Sequence, residues 1–287
     1  MNTSSLGKTR FSITDARNFI KTIEDEIEKR GLIYHAVGHG WTCEPFGISG
    51  RGWDKVGKKS IPENTYKYFA KINGKRDLWN NVPLNTNLCY SNPEVQTIIA
   101  KSITEYLKEH KNVDMLHFWL ADGSNNHCEC KNCKDILPSD YYVKMLNLID
   151  EYLTENNIDT KIVFLIYVDL LWAPKKEKIN NPDRFLLMFA PITRTYSSSF
   201  ATEKTLPDIS EYVRNNLEMP KSVEQNISHL RSWQKIFGGD SFDFDYHMIW
   251  DHYLDPSYYF NSKILYQDIK NLKNIGLNGF NSCQAAL

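Results

Sequence analysis

Asp114-Met115-Leu116-His117-Phe118-Trp119-Leu120 decides how this 287-residue sequence is read. The run is short and almost wholly apolar, and it ends in Ala121-Asp122-Gly123. A strand covered on both faces shows no polar alternation, so such a run reads as a buried strand of a parallel sheet. On its N-terminal side, Ser91-Asn92-Pro93-Glu94 carries a capping side chain and a first-turn proline, which starts a helix that runs to about His110. On its C-terminal side, Ser139 caps a helix that runs to about Glu155. Helix, buried strand and helix in succession form the repeating unit of an α/β fold.

Working outward, the same rhythm continues. Strands are expected at 32–37, 114–121, 161–168, 184–190, 241–247 and 277–282. Helices are expected at about 13–29, 222–236 and 257–274, the first from the spacing of Ile13, Ala16, Phe19, Ile20, Ile23 and Ile27. Residues 1–287 then form one β/α-barrel domain, with a long inserted loop at about 43–92. Within that loop Asn73-Gly74 separates two β-prone runs and signals a hairpin. A closed (β/α)8 TIM-type barrel has eight strands. Six are legible, so the expectation is a barrel incomplete at its ends. The alternative is an open doubly wound sheet, and no glycine-rich phosphate loop follows any strand to support it. The sequence stops at Gln284-Ala285-Ala286-Leu287, just past the last strand, where a neighbouring element is expected.

Composition narrows the function. Lys and Arg nearly balance Asp and Glu, for a net charge of -1, so no basic footprint points to nucleic acid. No stretch reaches the roughly 18 apolar residues of a membrane span. Met1 to Arg10 is polar and lacks the apolar core of a signal peptide. A soluble chain is expected, with its compartment left open. Seven Trp, 16 Tyr and 14 Phe can build a large core or supply flat platforms for the apolar faces of sugar rings.

Barrel enzymes carry their chemistry at the C-terminal ends of the strands. The residues falling there are His39, Trp41 and Glu44; Asp122; Tyr167 and Asp169; Arg194 and Tyr196; and Asp245, His247, Trp250 and Asp251. Cleavage of a glycosidic bond needs two carboxyl groups flanking it. Asp122, Asp245 and Glu44 are the candidates. His39, Trp41, Tyr167, Arg194, Tyr196, His247, Trp250 and Asp251 are candidates for holding the sugar. Arg194, if it faces the pocket, has the fork geometry that suits the carboxylate of a uronic acid. Each has a plainer reading. Asp122-Gly123 suits a turn, His39 between two glycines can be a structural hydrogen bonder, and Asp245 and His247 are functional only if their shared face of the strand opens to the barrel mouth.

Three of the six cysteines crowd into Cys128-Glu129-Cys130-Lys131-Asn132-Cys133. That spacing can wrap a structural zinc, which takes four ligands. The fourth would be His127, Cys43 or a distant residue. Reduced cysteines packing a loop are the competing reading. No cofactor is expected for catalysis itself.

The ordered series Phe69-Ala70-Lys71-Ile72-Asn73-Gly74-Lys75-Arg76, Leu88-Cys89-Tyr90-Ser91-Asn92-Pro93-Glu94, Ala121-Asp122-Gly123 with the cysteine cluster, Ala190-Pro191-Ile192-Thr193-Arg194 and Ile275-Gly276-Leu277-Asn278-Gly279 resembles the bacterial domain-of-unknown-function 4838 family. The resemblance spans about Leu32 to Gln284. That family is similar to TIM-barrel glycoside hydrolases of the α-glucuronidase and β-hexosaminidase kind. It therefore implies processing of a glycan or of a uronic-acid-containing polysaccharide, with further glycosidase-type domains in a longer chain. Hexosaminidase-like barrels place an adjacent Asp-Glu pair after a mid-barrel strand. Asp122 falls at the matching place, with Gly123 where the Glu would stand. A non-catalytic carbohydrate-binding barrel, or a zinc-dependent hydrolase of a glycan substituent, are the rival expectations.

Overall fold

Six parallel strands lie side by side in chain order: β1 (His35–Ala36), β4 (Met115–Phe118), β5 (Lys161–Ile166), β6 (Phe185–Phe189), β7 (Ser241–Met248) and β8 (Gly279–Gln284). β2 (Lys71–Ile72) and β3 (Lys75–Arg76) form a separate antiparallel hairpin. Five α-helices accompany them among the described residues: α1 (Ile13–Lys29), α2 (Pro93–Glu109), α3 (Pro138–Glu155), α4 (Val223–Gln234) and α5 (Tyr259–Asn271). The computed structural model describes residues 12–36, 38–50, 52–200, 205–249, 255 and 258–284.

Strand order without a reversal has a simple consequence. Right-handed crossovers between successive neighbours all place their helices on one face, so the sheet curls and its other face becomes concave. The result is a half-barrel. A doubly wound sheet needs a point where strand order reverses, and this sheet has none.

The expected (β/α)8 TIM-type barrel, incomplete at its ends, is not what forms: the sheet is a curled half-barrel of six strands. Among the described residues β1 and β8 are the sheet's two edges and no strand joins them. The long segment between β1 and α2 contributes only the β2–β3 hairpin and short single-turn helices. The hairpin itself follows the Asn73-Gly74 signal: both residues have positive φ, 49° and 78°, as a tight two-residue turn requires.

Alternation along each strand sorts the side chains into two layers. Leu116, Phe118, Ile162, Phe164, Ile166, Phe185, Leu187 and Phe189 face the helices and join the large core. There they meet Ile99 and Ile103 of α2, Tyr142 and Ile149 of α3, and Ile227 and Trp233 of α4. Trp233 is fully buried and its indole donates to the Leu170 carbonyl at 2.9 Å. The opposite, concave layer holds Val163, Leu165, Met188, Ala190 and Tyr246, with Trp119, Tyr167, Phe242 and Phe244 packed against them. A cavity of about 680 Å3 opens on this side, lined by His35, His117, Trp119, Phe242, Phe244 and Phe280.

α1 forms where the apolar spacing predicts it, with a capping box between Ser12 and Asp15. Its Phe19, Ile20 and Ile23 nevertheless stay exposed rather than entering either core layer. No helix among the described residues is long and apolar enough to cross a membrane.

Candidate functional site

Asp122 ends β4's extension at the mouth of the concave face, half-buried. Its position is fixed from below by backbone. Its N–H donates to the Leu84 carbonyl at 2.8 Å, and its own carbonyl accepts from Asn126 Nδ2 at 3.1 Å. Asn126 also donates to the Asn85 carbonyl at 2.7 Å and accepts from Asn87 at 2.8 Å. The inserted loop is therefore the seat on which Asp122 rests.

The carboxylate accepts three hydrogen bonds: from Gly123 N–H at 2.8 Å and the Tyr167 hydroxyl at 3.0 Å on Oδ1, and from the Trp53 indole at 2.8 Å on Oδ2. Trp53 is 57% exposed, so its ring stands open to solvent beside the carboxylate. His39 packs edge-on against Trp53 at 6.2 Å and against Trp119 at 4.8 Å between centroids. Burial lowers the His39 pKa, and the nearby Asp122 charge partly offsets that effect. Burial, reinforced by the Asp122 carboxylate, raises the Tyr167 hydroxyl above its ordinary range and keeps it a donor. Two buried nitrogens here, His39 Nδ1 and Trp119 Nε1, have no partner in the protein. Buried polar groups are normally satisfied, so these two are exceptions beside the exposed indole.

Backbone strain gathers at the same mouth. Val168, directly after Tyr167, has φ +44°, a conformation that a β-branched residue adopts only when its surroundings force it. Asp169, fully buried behind it, accepts from the Asn125 N–H at 3.0 Å and the Tyr212 hydroxyl at 3.2 Å. It thereby ties the strand end to the loop that follows Asp122.

The other expected site residues divide. Glu44 is exposed on the β1 loop, its Oε1 accepting from Gly50 N–H at 3.1 Å, and it shares a cleft with His39, Trp41 and Tyr106. Trp41 donates to the His117 carbonyl at 3.0 Å and packs edge-on against Tyr106, so it braces β4 to α2. Trp250 and Asp251 lie outside the described residues.

Asp245, His247 and Arg194 are placed elsewhere than the rim expectation put them, while the Tyr196 ring joins the concave-face cluster. Phe242, Phe244 and Tyr246 take the concave face of β7, so Asp243, Asp245 and His247 point to the helix side. There Arg194 Nη2 lies 2.9 Å from Asp245 and pairs with Asp268 of α5, while His247 Nε2 lies 2.7 Å from Asp268 and 3.0 Å from Arg194. The side chains of Arg194, Asp245, His247 and Asp268 have no solvent exposure. The Tyr196 hydroxyl donates to Asp245. Burial alone would discharge Arg194, but Asp245 and Asp268 outweigh it and hold its pKa above the ordinary value. Asp243, buried with neither oxygen partnered, is pushed well above the carboxylate range by burial and then by Asp245. This group is a sealed charge network beneath the sheet, so Arg194 cannot clamp a uronate and Asp245 does not face Asp122.

Sequence reasoning passed over Trp53, Asp268 and Cys89. Trp53 lies in a loop with no periodic signal, Asp268 is one polar residue in a helix, and Cys89 lies 39 residues ahead of the cysteine cluster. The structure brings Cys89 to Cys128, Cys130 and Cys133, with every Sγ within 4.8 Å of the others.

The family model for a domain of unknown function, DUF4838, matches residues 34–286. The chain belongs to the DUF4838 family. No curated protein and no solved structure matches it. The match takes in every strand of the sheet from β1 to β8, together with the Asp122 mouth and all four converging cysteines.

Proposed function

We propose that this DUF4838 protein binds a glycan at the mouth of the curled sheet and hydrolyses a glycosidic bond there. The carrying observation is the Asp122 carboxylate, held by Tyr167 and Trp53 beside the orphaned nitrogens of His39 and Trp119. A sugar ring can lay its apolar face on the exposed Trp53 indole and bring its hydroxyls to the half-buried Asp122 carboxylate. Three donors hold Asp122 as an acceptor, which suits a carboxylate that orients the sugar and faces the positive charge of an oxocarbenium-like transition state. Proton transfer then falls to Glu44, the solvent-exposed carboxylate in the cleft shared with His39.

The test is turnover on a panel of end-labelled oligosaccharides, read as new reducing ends. Asp122→Asn keeps the shape and removes the charge, and kcat should fall by about 100-fold or more. Trp53→Ala should raise KM with a smaller effect on kcat. Undiminished turnover in folded Asp122→Asn removes Asp122 from the chemistry. A second reading, glycan binding without cleavage, draws on the sealing of Asp245 away from the mouth. It predicts that both variants lose affinity measured by calorimetry while the wild type releases no reducing ends.

A further inference from the structure

We infer that Cys89, Cys128, Cys130 and Cys133 together hold one tetrahedral zinc ion that staples the loop after β4 to the β2–β3 hairpin and the start of α2. The four sulfurs converge to within 4.8 Å of one another, with Cys89 and Cys130 at 3.7 Å. Zinc binds thiolate at about 2.3 Å, so a tetrahedron of four sulfurs has edges of about 3.8 Å. The observed spacing is that of a shell around a single ion. A disulfide would need about 2.0 Å, and all four cysteines are free. Sulfurs this close leave no room for the bridging sulfides of a multi-iron cluster.

The surroundings are built for thiolates. Backbone N–H of Lys71 points at Cys128 Sγ from 3.2 Å, and the Arg76 guanidinium approaches Cys89 Sγ at 3.7 Å. The Ser91 Oγ accepts from Cys133 Sγ at 3.1 Å and lies 3.4 Å from Cys89 Sγ and 3.6 Å from Cys130 Sγ, with one proton to give to one of them. Neutral thiols are weak acceptors and would gain little from the Lys71 N–H and the Arg76 guanidinium, whereas four thiolates on a divalent cation leave two negative charges for them to compensate. The Glu129 N–H donates to the Lys71 carbonyl at 2.7 Å and the Glu129 carboxylate accepts from Asn73 N–H at 2.7 Å, so the backbone already brings loop and hairpin together where the ion would lock them.

With every position taken by sulfur, the ion has none for water, and its role is structural. It fixes the loop that begins at Asp122 and continues through Asn125 and Asn126, both of which anchor that region.

The experiment is metal analysis of the full chain expressed in zinc-supplemented medium and purified without chelator. One zinc per chain is expected, lost in Cys89→Ser and in Cys130→Ala, and retained in Cys283→Ser. Cobalt substitution should give the charge-transfer absorption of a four-thiolate site in the wild type only. Wild-type protein that is folded by circular dichroism, carries no stoichiometric metal and alkylates at all four thiols overturns the site. One iron per chain, with a reddish chromophore, overturns the assignment to zinc. Full zinc in Cys89→Ser overturns the fourth ligand. None of these readouts depends on a glycan.

Discussion

Gly38 shows how much one residue carries. It follows β1, and its carbonyl accepts from the Trp119 N–H at 3.1 Å, continuing the pairing with β4. A Cβ placed there would lie 2.7 Å from both His117 Cβ and Trp119 Cγ and 2.8 Å from the His117 carbonyl oxygen. Those atoms belong to the paired strand and cannot move aside cheaply. Only glycine lets the chain pass so close and deliver His39 against Trp119. Gly38→Ala should therefore lose about 1–3 kcal/mol by overpacking and displace His39 from Trp119. Gly238, where a Cβ would meet nothing within 4 Å, is the control: Gly238→Ala should leave stability nearly unchanged. Thermal denaturation of the pair checks this, and equal melting temperatures for Gly38→Ala and wild type would refute the steric account.

Among the elements, β7 is the exception that its neighbours make visible. β4, β5 and β6 present apolar side chains to the helices, whereas β7 presents Asp243, Asp245 and His247, answered by Asp268 of α5 and by Arg194. A buried ion pair contributes little net stability, but removing one partner leaves charge stranded in an apolar layer. Arg194→Met should cost roughly 3–5 kcal/mol at pH 7. Buried carboxylates without their cation favour the neutral form, so the deficit should shrink between pH 7 and pH 5. Urea denaturation at the two pH values measures it, and a deficit independent of pH would mean that lost packing, not stranded charge, is the cause. The same strand marks where the sequence stops being legible. Its alternation of aromatic and polar residues is plain, as are the buried runs of β5 and β6 and the Asn73-Gly74 turn, because each is a local signal. Which face of β7 looks into the concave side is not local: it depends on Phe242, Phe244 and Tyr246 meeting Trp119 and Tyr167 from other strands. Asp245 and Arg194 could be read as rim residues for that reason, while the position of Asp122 past the end of β4 needs only the strand's own apolar run. Trp53 and Cys89 reach their sites through irregular loop, where spacing carries no period to read.

For the molecule as a whole, folding around the curled sheet buries histidines along with apolar groups. His117 on the concave face and His229 of α4 are each lowered to about 4, His117 by burial and then by the neighbouring His35, His229 by burial against a small opposing effect of the Leu171 carbonyl. In the unfolded chain both titrate near about 6.5. As pH falls from 6.5 towards 4 the unfolded state takes up protons that the folded state refuses, so stability falls with pH across that window. The slope is at most about 1.4 kcal/mol per pH unit for each histidine, and below about 4, where both states are protonated, the contribution stops growing. Carboxylates add their own acid dependence, so the informative quantity is a difference between two proteins. His229→Gln removes one titrating group while keeping a polar side chain beside Trp172, which the imidazole meets edge-on at 4.6 Å. Its melting temperature should decline less steeply than that of the wild type between pH 6.5 and 4.5, the two curves converging towards acid. Parallel curves would mean that His229 is charged in the folded protein and that acid acts on the fold through other groups.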